Sequence, residues 1–300
     1  MTATLDHKAL VASVDAETKK RLTRKSDLRG LIHLAAHLGL IGALGAAVAS
    51  DVPGWQVLIL PLGVLIIFCF TLMHECTHRT PFATGWLNDW VMRICGVLLI
   101  LPPEWFRYFH FAHHRHTNDP ENDPELASGP KPEKWAAYLW AISGAPVWRS
   151  QIAQLLTNAA GRCDASYVPA SAASRIRFEA CVMLVVYVLV SAAVAAGQAW
   201  ILWCWALPLI VGQPFLRLYL MAEHGRCPAV ANMLENSRTT FTNRVVRFIA
   251  WNMPYHAEHH AWPTVPFHQL PALHALAAPQ LRSTSEGYAA FHGEMVGALR

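Results

Sequence analysis

The chain alternates polar stretches with two pairs of long apolar runs. Leu31–Ser50 and Trp55–Met73 make the first pair, and as helices each would extend about 28 to 30 Å, the thickness of a hydrocarbon layer. Asp51-Val-Pro-Gly54 between them holds two helix breakers and no Lys or Arg. Phe178–Ala196 and Trp200 to about Leu220 make the second pair, joined around Gly197 and Gln198. The pattern predicts an all-α integral membrane protein with four transmembrane helices, at about 31–50, 55–73, 178–196 and 200–220, arranged as two hairpins. A fifth apolar run, Trp86–Leu101, is too short to span. Asp89 and Arg93 interrupt it and Pro102-Pro103 end it, so it is expected to lie in the interface. Ala165–Ser174 reads as a loop.

Composition agrees with a bilayer setting: the chain is 54% hydrophobic and 15% charged over 300 residues, with a mean hydropathy of +0.26. Residues 1–29 are polar and hold Lys8, Lys19, Lys20, Arg21, Arg24, Lys25 and Arg29. They lack the early apolar core of a cleavable signal and read as a cytoplasmic arm ahead of one membrane domain over 30–300. All 24 Lys and Arg lie outside the two short turns. The positive-inside rule then turns those loops outward and places both termini on the cytoplasmic side of an inner or plasma membrane. Cys69, Cys76, Cys95, Cys163, Cys181, Cys204 and Cys227 are scattered and never form Cys-x-x-Cys, which argues against a disulfide frame or an iron–sulfur site. No nucleic-acid partner is expected.

Histidines concentrate the chemistry. His74-Glu-Cys-Thr-His78, His110-Phe-Ala-His113-His114 and His256-Ala-Glu-His259-His260 place eight imidazoles at helical spacing, where positions three and four apart share a face. Eight ligands exceed the needs of one ion and suit two neighbouring ones. The first cluster begins where the second span ends, the second lies between the hairpins, and the third follows the fourth span. With four spans all three emerge on one face, forming a histidine-rich cytoplasmic cap; with three or five spans a bilayer would separate them.

Other readings carry less. His74-Glu75-x-x-His78 also matches the zinc protease pattern with Glu75 as base, but a catalytic zinc takes three protein ligands and would leave the other clusters without a role. A metal transporter would string histidines along a path within the spans. His33 and His37 repeat the first spacing inside a span with no acid nearby, and are expected to hydrogen-bond between helices. His224, just past the fourth span, is a candidate ninth ligand. His116 is expected to be solvated or to support the site from behind. His7, His268, His274 and His292 carry little weight. Asp119, Asp123 and Glu258 are candidates to receive the outer N–H of a ligating imidazole.

These residues resemble the membrane fatty acid desaturase and hydroxylase superfamily, in which one His-x-x-x-His box and two His-x-x-His-His boxes bind two irons. Asn252-Met-Pro-Tyr-His-Ala-Glu-His-His-Ala-Trp-Pro263 is similar to the third box of acyl-lipid desaturases. The resemblance implies metal ligation by His74, His78, His110, His113, His114, His256, His259 and His260, with His224 where the family often has a further ligand. It also implies O2-dependent chemistry at two Fe ions. The expected reaction is desaturation of a lipid acyl chain, with hydroxylation or ketone formation on a lipid, carotenoid or similar apolar substrate as the alternative. With no haem or iron–sulfur motif in the chain, electrons are expected from an external ferredoxin, cytochrome or rubredoxin-type donor. Arg79, Arg107, Arg115, Lys131, Lys134 and Arg149 are candidate docking cations.

Overall fold

The computed structural model describes residues 5–128 and 132–300. It is mainly helical: α1 (His7–Ser13), α2 (Ala16–Leu22), α3 (Asp27–Ala49), α4 (Ile59–Ile67), α5 (Cys69–Thr77), α6 (Gly85–Leu99), α7 (Pro103–His116), α8 (Trp135–Ile142), α9 (Ala145–Ala159), α10 (Ala173–Ala195), α11 (Leu207–His224), α12 (Met233–Asn236), α13 (Arg244–Ile249), α14 (His256–Ala261), α15 (Leu270–Ala277) and α16 (Tyr288–Gly297). Two short strands, β1 (Thr239–Thr240) and β2 (Thr284–Ser285), pair in parallel.

Among the described residues, four helical stretches are long and apolar enough to cross a membrane: Ala16–Ala49, Trp55–Thr77, Ala170–Ala195 and Leu202–His224. The second and fourth outrun the apolar patterns at 55–73 and 200–220, because the backbone stays helical through His74 and through His224. Periodicity locates the apolar segment, whereas the helix ends only where capping or a breaker stops it. At the far end of α11, Arg238 performs that task, its Nη1 donating to the carbonyls of Ala222 at 2.7 Å and Gly225 at 2.6 Å. A cation on terminal carbonyls also suits the helix dipole.

The second and fourth stretches pack at backbone distance. A Cβ on Gly63 would stand 2.2 Å from the Pro208 carbonyl oxygen, and one on Gly212 would stand 2.2 Å from that of Gly63. Small residues at such crossings let membrane helices approach closely. α6 is not among the spanning helices; Trp86, Trp90 and Ile94 form an exposed apolar stripe along it. A polar network anchors its inner side, with Asp89 paired to Arg79 at 2.7 Å and to Arg107 at 2.6 Å.

Residues 5–22 fold back onto the segments after the fourth span. The Leu5 amide donates to Gln280 Oε1 at 2.8 Å, the His7 amide to Asn232 Oδ1 at 3.1 Å, and Leu10 packs with Leu234 and Ala277. Those apolar contacts order a stretch whose composition suggests only a polar arm. His33 and His37 take the helix-linking role: His37 Nδ1 accepts from Trp251 Nε1 at 3.2 Å, leaving its Nε2–H for the Leu65 carbonyl at 3.0 Å, and His33 Nε2 meets the Phe248 carbonyl at 2.8 Å.

Candidate metal centre

Three elements carry the boxes to one place. His74 ends the second spanning stretch on α5, with His78 as its C-cap. His110, His113 and His114 occupy the last two turns of α7, which Pro102-Pro103 start. α14 is only six residues long and is held from behind: Glu258 bonds Thr239 Oγ1 and His274 Nδ1. An isolated bridge joins Thr239 and Tyr255.

The imidazoles sort into two groups. His74, His78, His110, His114 and His259 have ligand atoms within 4.8 Å of one another, as do His113, His224 and His260. His256 joins the second group, its Nε2 lying 2.9 Å from His224 Nε2. The sorting follows helix geometry. Positions i and i+4 differ by about 40° around the axis, whereas i+3 and i+4 differ by about 100°. Accordingly His110 and His114 serve one group and His113 the other, and in the third box His256 and His260 stay together while His259 crosses over. The groups abut where the His114 and His260 rings stack at 4.0 Å with planes 1° apart.

Facing nitrogens make this donor set fit for cations. Nε2 atoms approach at 2.7 Å for His74 and His259, 2.9 Å for His78 and His110, and 3.1 Å for His113 and His224. Imidazoles at right-angle positions on one ion, each about 2.1 Å from it, stand about 3 Å apart. Both nitrogens of His114 and Nε2 of His260 are buried without a hydrogen-bond partner, a costly state that a cation in each group would relieve at one nitrogen of each ring.

The outer nitrogens fix the tautomers. His113 Nδ1 donates to Asp123 at 2.9 Å, His224 Nδ1 to the Asn236 carbonyl at 3.2 Å, and His260 Nδ1 to Thr117 Oγ1 at 3.1 Å. The Thr117 hydroxyl is itself spent on the His113 carbonyl at 2.8 Å, so it must accept. Each of the three therefore turns an Nε2 lone pair inward. Glu223 lies 3.3 Å from His256 Nδ1 and Glu75 lies 3.7 Å from His259 Nδ1.

Burial favours the neutral form at six of the box histidines. It pushes His78 down to about 3 and holds His110, His114, His256, His259 and His260 well below the ordinary histidine value, with neighbouring imidazoles adding to the effect. At His113 burial acts the same way, but Glu125 and Asp123 outweigh it and raise the value. Neutral imidazole is the ligand form.

Of the three acids expected behind the ligands, only Asp123 reaches a box histidine. Glu258 faces His274 and Thr239 instead, and Asp119 closes its own turn by accepting from the Glu121 amide and Asn122 Nδ2. Glu75 stands behind His259 with Oε2 committed to Thr80 Oγ1 at 2.9 Å and the Phe267 amide at 3.0 Å, which is no position for a protease base. Sequence reasoning missed Glu223, Thr117, Asn236, Arg238 and His274. The first is adjacent to His224 in sequence and could have been flagged; the others act through backbone groups or from remote segments.

Comparison with known proteins decides the family. Residues 53–292 match the sequence profile of the family described as fatty acid desaturase. This chain belongs to the fatty acid desaturase family. It is 26% identical over 195 residues to a Delta(12) fatty acid desaturase from Calendula officinalis, covering 57% of this chain and 49% of that one. It is 30% identical over 135 residues to an sn-1 oleoyl-lipid 12-desaturase from Picosynechococcus, covering 41% and 37%. It is 28% identical over 117 residues to an sn-1 acyl-lipid omega-3 desaturase (ferredoxin) from Nostoc, covering 38% and 31%. The chain thus spans half or less of these desaturases.

Proposed function

We propose that this protein is a membrane di-iron oxidoreductase that introduces a double bond into the acyl chain of a lipid. One observation carries the reading: nine imidazoles from four separate segments converge as two adjoining donor groups, with facing nitrogens 2.7 to 3.1 Å apart. Two irons held there, the first by His74, His78, His110, His114 and His259 and the second by His113, His224, His256 and His260, would supply O2-dependent removal of hydrogen from an unactivated C–H bond.

The chain's own groups supply orientation and a dry setting. Asp123, Asn236 and Thr117 hold His113, His224 and His260 from behind, and Glu223 and Glu75 stand near His256 and His259. An apolar cavity of about 510 Å³, lined by Phe68, Phe215, Leu218, Tyr219, Ile249 and Tyr288 among others, supports an acyl substrate. Tyr219 of its lining lies one helical turn before Glu223 on α11. Desaturation removes two hydrogens from the chain and reduces O2 to two waters. The substrate provides two electrons and two protons, and an external donor with solvent must provide the other two of each.

In this reading the four apolar stretches form two hairpins, with the histidine cap, both termini and the active site on the cytoplasmic face and residues 30–300 acting as one unit. Metal analysis joined to lipid mass spectrometry tests it. Iron at two per chain, with host lipids gaining species two mass units lighter, is the expected result. A gain of sixteen units would shift the reading to hydroxylation, and one zinc per chain with peptide hydrolysis that a Glu75→Gln variant abolishes would defeat both.

A further inference from the structure

A second cleft, of about 380 Å³, opens between α1, the loop after α7 and the segment entering α12. Thr117, Asn118 and Asn236 line it and are themselves buried, whereas Lys8 and Arg115 line it and are exposed. The buried three form its floor, and they are the residues that bond the outer side of the second donor group. Thr117 Oγ1 holds His260, the Asn236 carbonyl holds His224, and the Asn118 amide donates at 2.8 Å to the Asp123 carboxylate that holds His113. Asn118 and Asn236 are also tied together, Asn118 Nδ2 donating to the Asn236 carbonyl at 2.7 Å. Three buried imidazoles are therefore one or two hydrogen bonds from the floor of the cleft.

The lining carries a net positive charge, Lys8 and Arg115 set against Asp119. Among the described residues Lys8 and Arg115 are in no ion pair, whereas Arg79, Arg93, Arg107 and Arg175 each are. Asp119 also lines the cleft and keeps its charge, accepting from the Glu121 amide at 3.0 Å and Asn122 Nδ2 at 2.9 Å, while Asp6 on the adjoining turn accepts from the Ala9 amide at 2.7 Å. His7 and His116 complete the wall. Of the cations the sequence offered for docking, Arg79 and Arg107 are spent on Asp89, and Lys131 lies outside the described residues. Lys134 precedes α8 and Arg149 lies on α9, helices that carry no box histidine. Arg115 alone lines this cleft.

We propose that the cleft receives the acidic surface of a one-electron carrier protein, with Lys8 and Arg115 as its charge contacts and the Thr117–His260 and Asn236–His224 hydrogen bonds as the electron entry. The proposal rests on the di-iron reading, which requires two external electrons per turnover. Electronic coupling decays more slowly through bonds and hydrogen bonds than across open gaps, and these are direct hydrogen-bonded links from an exposed opening to the buried group. Unpaired cations at the rim would steer an acidic partner at long range.

The test uses the full chain and a plant-type [2Fe–2S] ferredoxin as probe, with Lys8→Glu, Arg115→Gln and a Lys8→Glu/Arg115→Glu double variant. In zinc-loaded protein, which cannot take electrons, ferredoxin should bind with an affinity that falls with salt. The double variant should weaken it at least about tenfold at low salt, with the single variants between. In iron-loaded protein, reduction by ferredoxin should slow in step while reduction by dithionite and the bound iron stay unchanged. Unaltered ferredoxin affinity in the variants, absence of salt-sensitive binding in the parent, or an equal slowing with dithionite would overturn the proposal. A chain that takes up no iron would instead sink the di-iron reading, and the zinc-loaded binding measurement separates the two failures.

Discussion

His74 and His259 stand 185 positions apart in the chain, yet their Nε2 atoms meet at 2.7 Å in a fully buried setting. One sits at the end of a spanning helix and the other on a six-residue helix braced from behind. The pair belongs to the five-histidine group; a cation held between the two Nε2 atoms would take a lone pair from each, and without one an Nε2–H of either ring can donate to the other.

Removing either partner should empty that group. His259→Ala is expected to lose iron and turnover together, with the second group's iron retained or weakened, as read by metal analysis of purified protein. A variant with full metal content would take His259 out of the ligand set.

Asp123→Ala should act one step further out. Asp123 accepts from His113 Nδ1 and from the Asn118 amide, so its loss frees the ring to turn and removes a carboxylate that strengthens it as a ligand. Partners of this kind are worth about 10- to 100-fold in metal affinity. Chelator competition should show a drop of that size, with the first group's metal unaffected.

The crossing of the second and fourth spanning stretches admits no side chain. Gly212→Ala would bring a methyl within 2.2 Å of the Gly63 carbonyl oxygen. Backbone rather than a flexible side chain must then yield, so the cost should reach or exceed the usual about 1 to 3 kcal/mol of overpacking. Thermal unfolding in detergent should show it, whereas Gly42→Ala, where an added Cβ meets nothing within 4 Å, should leave stability nearly unchanged.

Acid should destabilise the metal-free protein. Burial lowers His78 to about 3 and His268 to about 4, Arg29 adding to the second, against an unfolded value of about 6.5. Between those values the unfolded chain binds protons that the folded chain does not, so stability falls as pH drops from about 6.5 toward 4. Denaturation midpoints of apo protein across that window should decline steadily. A flat profile would mean that these histidines are accessible and charged in the folded state.

The candidate site was legible as a set of residues. Three histidine spacings and the parity of four apolar runs placed all eight box histidines on one face, and His224 followed from its place beyond the fourth run. The helix-linking part of His33 and His37 was legible too, because an apolar setting offers them carbonyls and no acid. What lies behind the ligands was not. Asp119, Asp123 and Glu258 were indistinguishable by spacing, since which acid meets an imidazole depends on loop paths of several residues.

Sequence by itself thus determined the helical character, the apolar segments and the identity of the metal-competent side chains, because period and composition are local properties that each segment carries alone. Only the tertiary structure decided which histidines share a group. It also decided that His259 crosses to partner His74, that Asn236 and Thr117 orient His224 and His260, and that residues 5–22 pack beside them. The reason is physical: a helix fixes which of its residues share a face, but which faces meet depends on close approaches such as Gly63 on Gly212 and on braces such as Glu258 with His274. Those contacts join parts of the chain that no local pattern relates.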